Sequence, residues 1–82
     1  MNDEQLLERV VCDPGVLCGK PVIAGTRLSV EYILNLMAHG STTKEILEEY
    51  NRLSTEDIQA CLLFASQSLS SVSFMPLNTK SA

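Results

Sequence analysis

The spacing of apolar residues along the chain predicts three core helices, near residues 29–39, 42–50 and 54–70. In the first of them, apolar side chains recur at intervals of three and four residues, the period of a helix with one buried face. These positions are Val30, Ile33, Leu34 and Met37. A short helix is also predicted within residues 1–9, capped by Asp3, with its two leucines directed inward.

Polar residues at the helix ends support these boundaries. Ser29, Thr42 and Ser54 stand at the predicted starts, where a side-chain hydroxyl satisfies free backbone N–H groups. Thr42 is followed three residues later by Glu45, the spacing of a capping box. Gly40 stands just past the first core helix, where glycine commonly ends a helix.

Residues 10–28 predict a small, irregular β element instead of a helix. A turn is expected at residues 13–15, Asp-Pro-Gly, where proline fixes φ and glycine accepts a positive φ. Residues 16–23 are predicted to form an edge strand, and Gly25 a tight turn. Residues 26–29 then form the return strand of a hairpin.

These elements predict one mainly α domain over residues 1–77. Two capped helices joined by a tight turn, with a third before them, follow the plan of a helix-turn-helix bundle. The β-hairpin within residues 10–28 precedes the helices, which occupy residues 29–71. Residues 78–82 are expected to be a disordered tail.

Composition limits the size and kind of core. The chain has 82 residues, no Trp, two Tyr and two Phe, so its core must be aliphatic. So short a chain buries only a marginal core, and we therefore expect a homodimer. Three cysteines, Cys12, Cys18 and Cys61, make an odd count that does not suggest a disulfide framework. Free thiols and the lack of a long apolar run favour the cytoplasm and no membrane partner.

The third core helix carries more apolar surface than one small core requires. One stripe, predicted to face the core, contains Ile58, Cys61, Leu62, Ala65 and Leu69. A second stripe is expected to form a dimer or partner interface, together with two apolar residues of the C-terminal segment. Its members are Ala60, Leu63, Phe64 and Gln67, with Val72 and Phe74 beyond the helix.

The stretch GKPVIAGTR, residues 19–27, does not match a phosphate-binding loop. Such a loop needs Lys-Ser or Lys-Thr after its second glycine and then a helix. Here Lys20 precedes proline, and the second glycine leads into a predicted strand. A hairpin accounts for the positions of the two glycines. The role of Lys20 and Arg27 is not decided by the sequence: they either hold a phosphate or form ion pairs with Asp13 and Glu31.

Charge disfavours DNA readout and the residue pattern disfavours catalysis. The net charge is −4, and residues 55–73 contain no Lys or Arg, whereas DNA binding requires clustered cations. The candidate phosphate contacts are therefore Lys20, Arg27, Lys44 and Arg52. His39 and the cysteines lack the spacing of a catalytic pair or a metal site, so we expect no enzyme activity and no cofactor.

The same residues carry a resemblance to a known family. Residues 19–30 read GKPVIAGTRLSV, followed by Gly40 and then by TTKEILEEY and ED-I-x-A-x-L in the capped helices. This ordered string resembles the small bacterial domain-of-unknown-function family 433, from about residue 9 to residue 77. The chain departs from the family pattern at Asn51, where the family has proline; asparagine also suits a turn.

The resemblance implies a homeodomain-like helix-turn-helix fold behind a small β element. It also implies the role of an antitoxin that neutralises a PIN-like ribonuclease, with autoregulation of its promoter as an additional expectation. The alternative is a dimeric helix-turn-helix transcriptional regulator that binds promoter DNA without a toxin partner. No motif identifies the residues that would contact DNA.

Overall fold

The computed structural model describes residues 1–70, which form four α-helices and one two-stranded antiparallel sheet. The mainly α architecture with a small N-terminal sheet is as predicted. In chain order the elements are α1 (Asp3–Leu7), β1 (Val10–Cys12), a short 3-10 helix (Leu17–Gly19), β2 (Pro21–Ile23), α2 (Val30–Ala38), α3 (Thr43–Glu49) and α4 (Thr55–Ser70). The strand predicted over residues 16–23 is therefore wrong for all but its last three residues. The predicted tail, Val72 and Phe74 lie outside the described residues.

The caps of α2 and α3 form as the sequence predicts. The Ser29 hydroxyl accepts the backbone N–H of Tyr32 at 2.9 Å. Thr42 and Glu45 form a reciprocal capping box, with N···O distances of 3.1 and 2.8 Å. Gly40 follows α2 with a φ of 100°, a conformation that glycine adopts without steric cost.

The cap of α1 differs from the prediction. Asn2, and not Asp3, precedes the helix, and its side chain accepts the N–H of Gln5 at 2.8 Å. The Gln5 side chain in turn accepts the N–H of Asn2 at 3.1 Å. This reciprocal pair satisfies two free backbone donors at once. The helix therefore begins at Asp3, one residue earlier than a cap at Asp3 would place it.

The predicted pairing of the β-hairpin is wrong. β2 pairs with β1, in the register Val11 opposite Val22, and not with residues 26–29. Only an isolated bridge joins Val22 to Ser29. The Thr26 hydroxyl donates to the Ile23 carbonyl at 2.7 Å and accepts the Leu28 N–H at 3.0 Å, which closes the turn tightly. Because Ser29 already caps α2, the chain after the turn is too short to form a strand.

The two predicted turns of this region differ in backbone conformation. Gly25 has a φ of 78°, as the tight turn requires. The turn at residues 13–15 closes through the N–H of Val16, which donates to the Asp13 carbonyl at 2.8 Å. Gly15 is not among the residues with positive φ, so that part of the prediction is wrong.

The core is aliphatic, as the composition predicts. It joins β2, the three longer helices and the α3–α4 connection around Ile33, which is fully buried. Burying one such side chain contributes about 1.5–3 kcal/mol. The buried cluster consists of Ile23, Val30, Ile33, Ile46, Leu53, Ile58 and Cys61.

The helices contain no segment that could cross a membrane within the part of the chain described, since none is both long and apolar enough.

Candidate partner-binding surface

An apolar groove of about 530 Å³ lies between α2 and the second half of α4. Glu31 is the only charged residue among those that line it. A surface of this kind binds apolar side chains and offers little to a charged ligand. The lining residues are Pro21, Val30, Glu31, Leu34, Asn35, Ala38, Phe64, Ala65, Ser68 and Leu69.

The groove exists because α4 is longer than the body on which it packs. α4 has 16 residues, against nine in α2 and seven in α3. The buried residues of α4 end at Cys61, and from Phe64 onward every described residue is partly or fully exposed. At about 1.5 Å per residue, the helix continues roughly 13 Å beyond its last buried side chain. Its core-facing side is therefore only partly covered over that length, with Phe64 half-buried against the core.

The interface predicted on α4 is partly wrong. Ala60 has 0 % of its surface exposed and belongs to the buried part of the helix, so it offers no surface to a partner. Leu63 and Phe64 are half-buried, Phe64 lines the groove, and Gln67 is exposed.

Two residues assigned to the core stripe instead provide the exposed apolar surface. Leu62 is 46 % exposed and Leu69 is 65 % exposed. They lie seven residues apart and so share one face of α4, and Leu69 also lines the groove. The helical period identified both residues as apolar, but it could not tell which stripe the rest of the small domain would cover.

Two of the predicted phosphate contacts come together. Arg27 and Arg52 both line two adjoining clefts of about 560 and 420 Å³ beside the Gly25 turn. Neither arginine forms an ion pair with another residue in the range 1–70. Asp13 borders the first cleft and Glu49 the second, so each cleft also contains a carboxylate.

The other two predicted contacts lie elsewhere. The Lys20 ammonium lies 3.1 Å from a Glu31 carboxylate oxygen. This ion pair is one of the two alternatives that the sequence offered for Lys20, the other being phosphate binding. Both side chains are well exposed, so this pair contributes little to stability. Lys44 is exposed on α3 and lines neither arginine cleft. Of the four cations, only Arg27 and Arg52 line the same clefts.

The start of α4 carries a polar network that the sequence predicts only in part. Ser54 precedes the helix as expected, but its hydroxyl contacts the side chains of Arg9 and Asp57 instead of capping a backbone N–H. The Arg9 guanidinium lies 3.0 Å from the Asp57 carboxylate and 3.3 Å from the Ser54 hydroxyl. The other Asp57 oxygen accepts the N–H of Ser54 at 2.9 Å. The network ties the segment between α1 and β1 to the helix that a helix-turn-helix protein would place in DNA. No local pattern signals it, because Arg9 and Asp57 are 48 residues apart.

A second unpredicted contact joins α2 to the end of α3. The hydroxyl oxygens of Tyr32 and Tyr50 lie 2.7 Å apart, and the rings meet edge to face at 6.2 Å. The hydrogen bond to Tyr32, with smaller effects of desolvation and of the Glu49 charge, raises the pKa of Tyr50 to about 12. Since Tyr50 stays neutral at ordinary pH, the pair is a structural contact.

The remaining nucleophilic and metal-binding residue types do not assemble. Cys12 and Cys18 are exposed, whereas Cys61 is buried, and burial raises the pKa of its thiol to about 11. The His39 ring nitrogen lies 2.8 Å from the Asn35 carbonyl, within its own helix end. Among residues 1–70 no three His, Cys, Asp or Glu side chains are placed to hold a metal ion.

Comparison with known proteins identifies the family. The family described as "Protein of unknown function (DUF433)" matches residues 10–65. The crystal structure of a DUF433 member protein from Anabaena variabilis is similar to this chain, with a TM-score of 0.73 and 28 % identity. The similarity covers 82 % of this chain and 66 % of that one, so this chain spans just under two thirds of that protein. The search of curated proteins gave no match. Over most of its length, including GKPVIAGTR and both capped helices, the chain belongs to the DUF433 family.

Proposed function

We propose that this protein is a non-enzymatic, antitoxin-like binding protein that neutralises a partner PIN-like ribonuclease. The observation that carries the proposal is the exposed apolar face of α4, formed by Leu62 and Leu69, on a helix without a single Lys or Arg. Such a face fits a protein partner better than it fits a phosphate backbone.

Charge supports the same choice of partner. A net charge of −4 is complementary to the basic surface with which a ribonuclease holds RNA. The carboxylates Glu45, Glu48 and Glu49 on α3 and Glu56 on α4 are free of ion pairs with other residues of the range 1–70. They are therefore available to steer the protein toward a cationic partner.

Co-purification tests the proposal. The full chain is co-expressed with the ribonuclease encoded beside its gene, and the complex is isolated through a tag on the ribonuclease. We expect the wild-type chain and Gln59→Glu to elute with the ribonuclease, and Leu62→Glu to be lost from the complex. Both variants place one new carboxylate on an exposed position of α4, so only the apolar face distinguishes them. The absence of such a gene or of a complex contradicts the proposal.

Arg27 and Arg52 favour a second candidate function, a DNA-binding regulator acting alone or with the ribonuclease. Two neighbouring guanidinium groups can contact backbone phosphates, although Asp13 and Glu49 weaken the local potential. This candidate requires binding to the protein's own promoter that weakens as salt rises and is lost in Arg27→Ala/Arg52→Ala. Binding unchanged by both the salt and the substitutions eliminates it.

The three free cysteines support a reducing compartment, such as the cytoplasm, for this function. Cys12 and Cys18 are exposed thiols that would be open to oxidation elsewhere.

A further inference from the structure

We propose that the cleft beside the Gly25 turn binds a ribonucleoside 5′-monophosphate, with Arg27 and Arg52 holding its phosphate. This proposal goes beyond the proposed function and does not depend on it. The cleft is the first of the two arginine clefts and has a volume of about 560 Å³, within the range common for small-molecule sites. Of the residues that line it within the described range, none belongs to α4 or borders the groove between α2 and α4. The site is therefore separate from the surface offered to a protein partner.

Two cationic side chains from distant parts of the chain meet at this cleft. Arg27 follows the Gly25 turn, whereas Arg52 lies in the connection between α3 and α4. A guanidinium nitrogen of Arg52 lies 3.5 Å from the Gly25 carbonyl oxygen, which places this side chain beside the turn. Neither guanidinium is held by a carboxylate of residues 1–70. Because a guanidinium presents paired donors that match two oxygens of a phosphate, two of them suit the dianion of a phosphate monoester.

The apolar part of the lining favours a ligand with more than a phosphate. Three valines line the same cleft as the arginines, namely Val11, Val16 and Val22. They come from β1, from the connection after it and from β2, and Val11 is 40 % exposed. An inorganic phosphate gains nothing from such a wall, whereas the flat face of a nucleobase loses unfavourable contact with water there.

Asp13 distinguishes a nucleotide from other amphipathic anions. Its carboxylate lines the cleft and opposes the binding of a bare anion. One of its oxygens accepts the N–H of Gly15 at 2.8 Å, and an ionised carboxylate can accept several further hydrogen bonds. Ribose hydroxyls and base amino groups supply such donors, so a nucleotide can satisfy Asp13 while its phosphate binds the arginines. A fatty acid offers the apolar body and the negative charge but no donor for Asp13.

Titration of the isotope-labelled full chain with the four ribonucleoside 5′-monophosphates, followed by nuclear magnetic resonance, tests the proposal. We expect at least one of them to bind with a Kd below about 1 mM and to shift the amide signals of residues 25–27 and 52. Inorganic phosphate and the matching nucleoside should each bind at least about tenfold more weakly, because each lacks part of the contacts. Binding by none of the four, shifts confined to other residues, or equal binding of inorganic phosphate would overturn the proposal.

A set of variants gives an independent readout. We expect Arg27→Ala/Arg52→Ala to weaken the binding of that nucleotide at least about tenfold, and Lys44→Ala to leave it unchanged. Lys44 is the matched control, because it is an exposed cation that lines neither arginine cleft. Circular dichroism verifies that each variant is folded. Equal affinities of the double variant and the wild type, or an equal loss in Lys44→Ala, contradict the assignment. Binding of a DNA duplex through the arginines with no binding of any nucleotide also contradicts it.

Discussion

Among single residues, the sequence predicts best those features that depend on backbone conformation. Gly25 is the clearest example, since the turn between β2 and α2 requires its φ of 78°. A Cβ at this position would meet no atom within 4 Å, so a side chain here is opposed by backbone strain alone. The requirement can therefore be read from the sequence without knowing the packing.

Replacing Gly25 by alanine should destabilise the fold by about 1–2 kcal/mol, the cost of the left-handed conformation for a residue with a Cβ. Urea unfolding followed by circular dichroism measures the loss. Gly15→Ala is the matched control, because Gly15 lies in a turn but lacks a positive φ. Equal losses at the two glycines would contradict the assignment of the strain to Gly25.

The Tyr32–Tyr50 contact predicts a pH dependence. The pKa of Tyr50 rises from 10.0 to about 12 in the folded protein. A folded pKa above the unfolded one means that the contact stabilises the fold below about pH 10, and that this contribution is lost as the pH rises through about 12.

Tyr32→Phe should bring the titration of Tyr50 back toward 10, because the hydrogen bond is its largest cause. Since the chain has only two tyrosines, the variant contains one phenol, and its ultraviolet absorbance reports Tyr50 alone. Circular dichroism at each pH confirms that the chain stays folded. Titration near 12 in the variant would show that the contact does not control this pKa.

At the scale of elements, the fold depends on a contact that joins the N-terminal segment to the start of α4. Asp57 lies at the third position of α4, and its side chain is only 12 % exposed. Removing it leaves the N–H of Ser54 without its acceptor, and leaves the half-buried Arg9 with only the Ser54 hydroxyl at 3.3 Å.

Asp57→Ala should therefore cost about 1.5–3 kcal/mol, the range for hydrogen bonds to charged groups. Glu56→Ala, one residue earlier in the same turn, loses only a favourable interaction with the helix dipole, about 0.3–1 kcal/mol. Chemical unfolding of the two variants compares them. A double-mutant cycle with Arg9→Met should assign most of the difference to the Arg9–Asp57 pair; additive losses would refute that assignment.

Contacts between residues close in sequence can be predicted from the sequence, whereas the contact of Asp57 with Arg9 cannot. Thr42 and Glu45 are three residues apart, so their spacing alone predicts the capping box. Arg9 is brought to Asp57 by the packing of α1 and β1 on α4, which no local pattern contains. The strand pairing failed for the same reason: residues 10–12 read as extended, but their partner depended on how tightly Thr26 closed the next turn.

The excess apolar surface of α4 was predicted, but its position on the helix was not. An excess of apolar residues on α4 could be counted from the sequence. Which of them stay exposed depends on which elements pack against each face of α4: Ala60 is buried, whereas Leu62 and Leu69 stay open. Periodicity defines stripes on a helix, whereas the neighbouring elements decide which stripe is buried.

For the whole molecule, the reactivity of a core cysteine measures how cooperatively the domain unfolds. Cys61 belongs to the buried cluster, and burial raises the pKa of its thiol to about 11, whereas Cys12 and Cys18 are exposed. A neutral, buried thiol reacts only when the domain opens.

A thiol reagent should therefore modify two cysteines of the native protein rapidly and the third only as fast as the domain unfolds. Mass spectrometry of proteolytic fragments identifies the modified positions, and Cys61→Ala is the control that removes the slow phase. Rapid modification of all three cysteines in the native protein would contradict the packing of α4 on the core.

In the proposed function, the acidic chain with its apolar α4 face neutralises a ribonuclease. Titrating the protein against the ribonuclease encoded beside its gene, with RNA cleavage as the readout, tests this claim most directly. We expect stoichiometric loss of cleavage with the wild-type chain and with Gln59→Glu, and at least about tenfold weaker inhibition by Leu62→Glu. Cleavage that continues undiminished in an excess of the folded wild-type chain would contradict it.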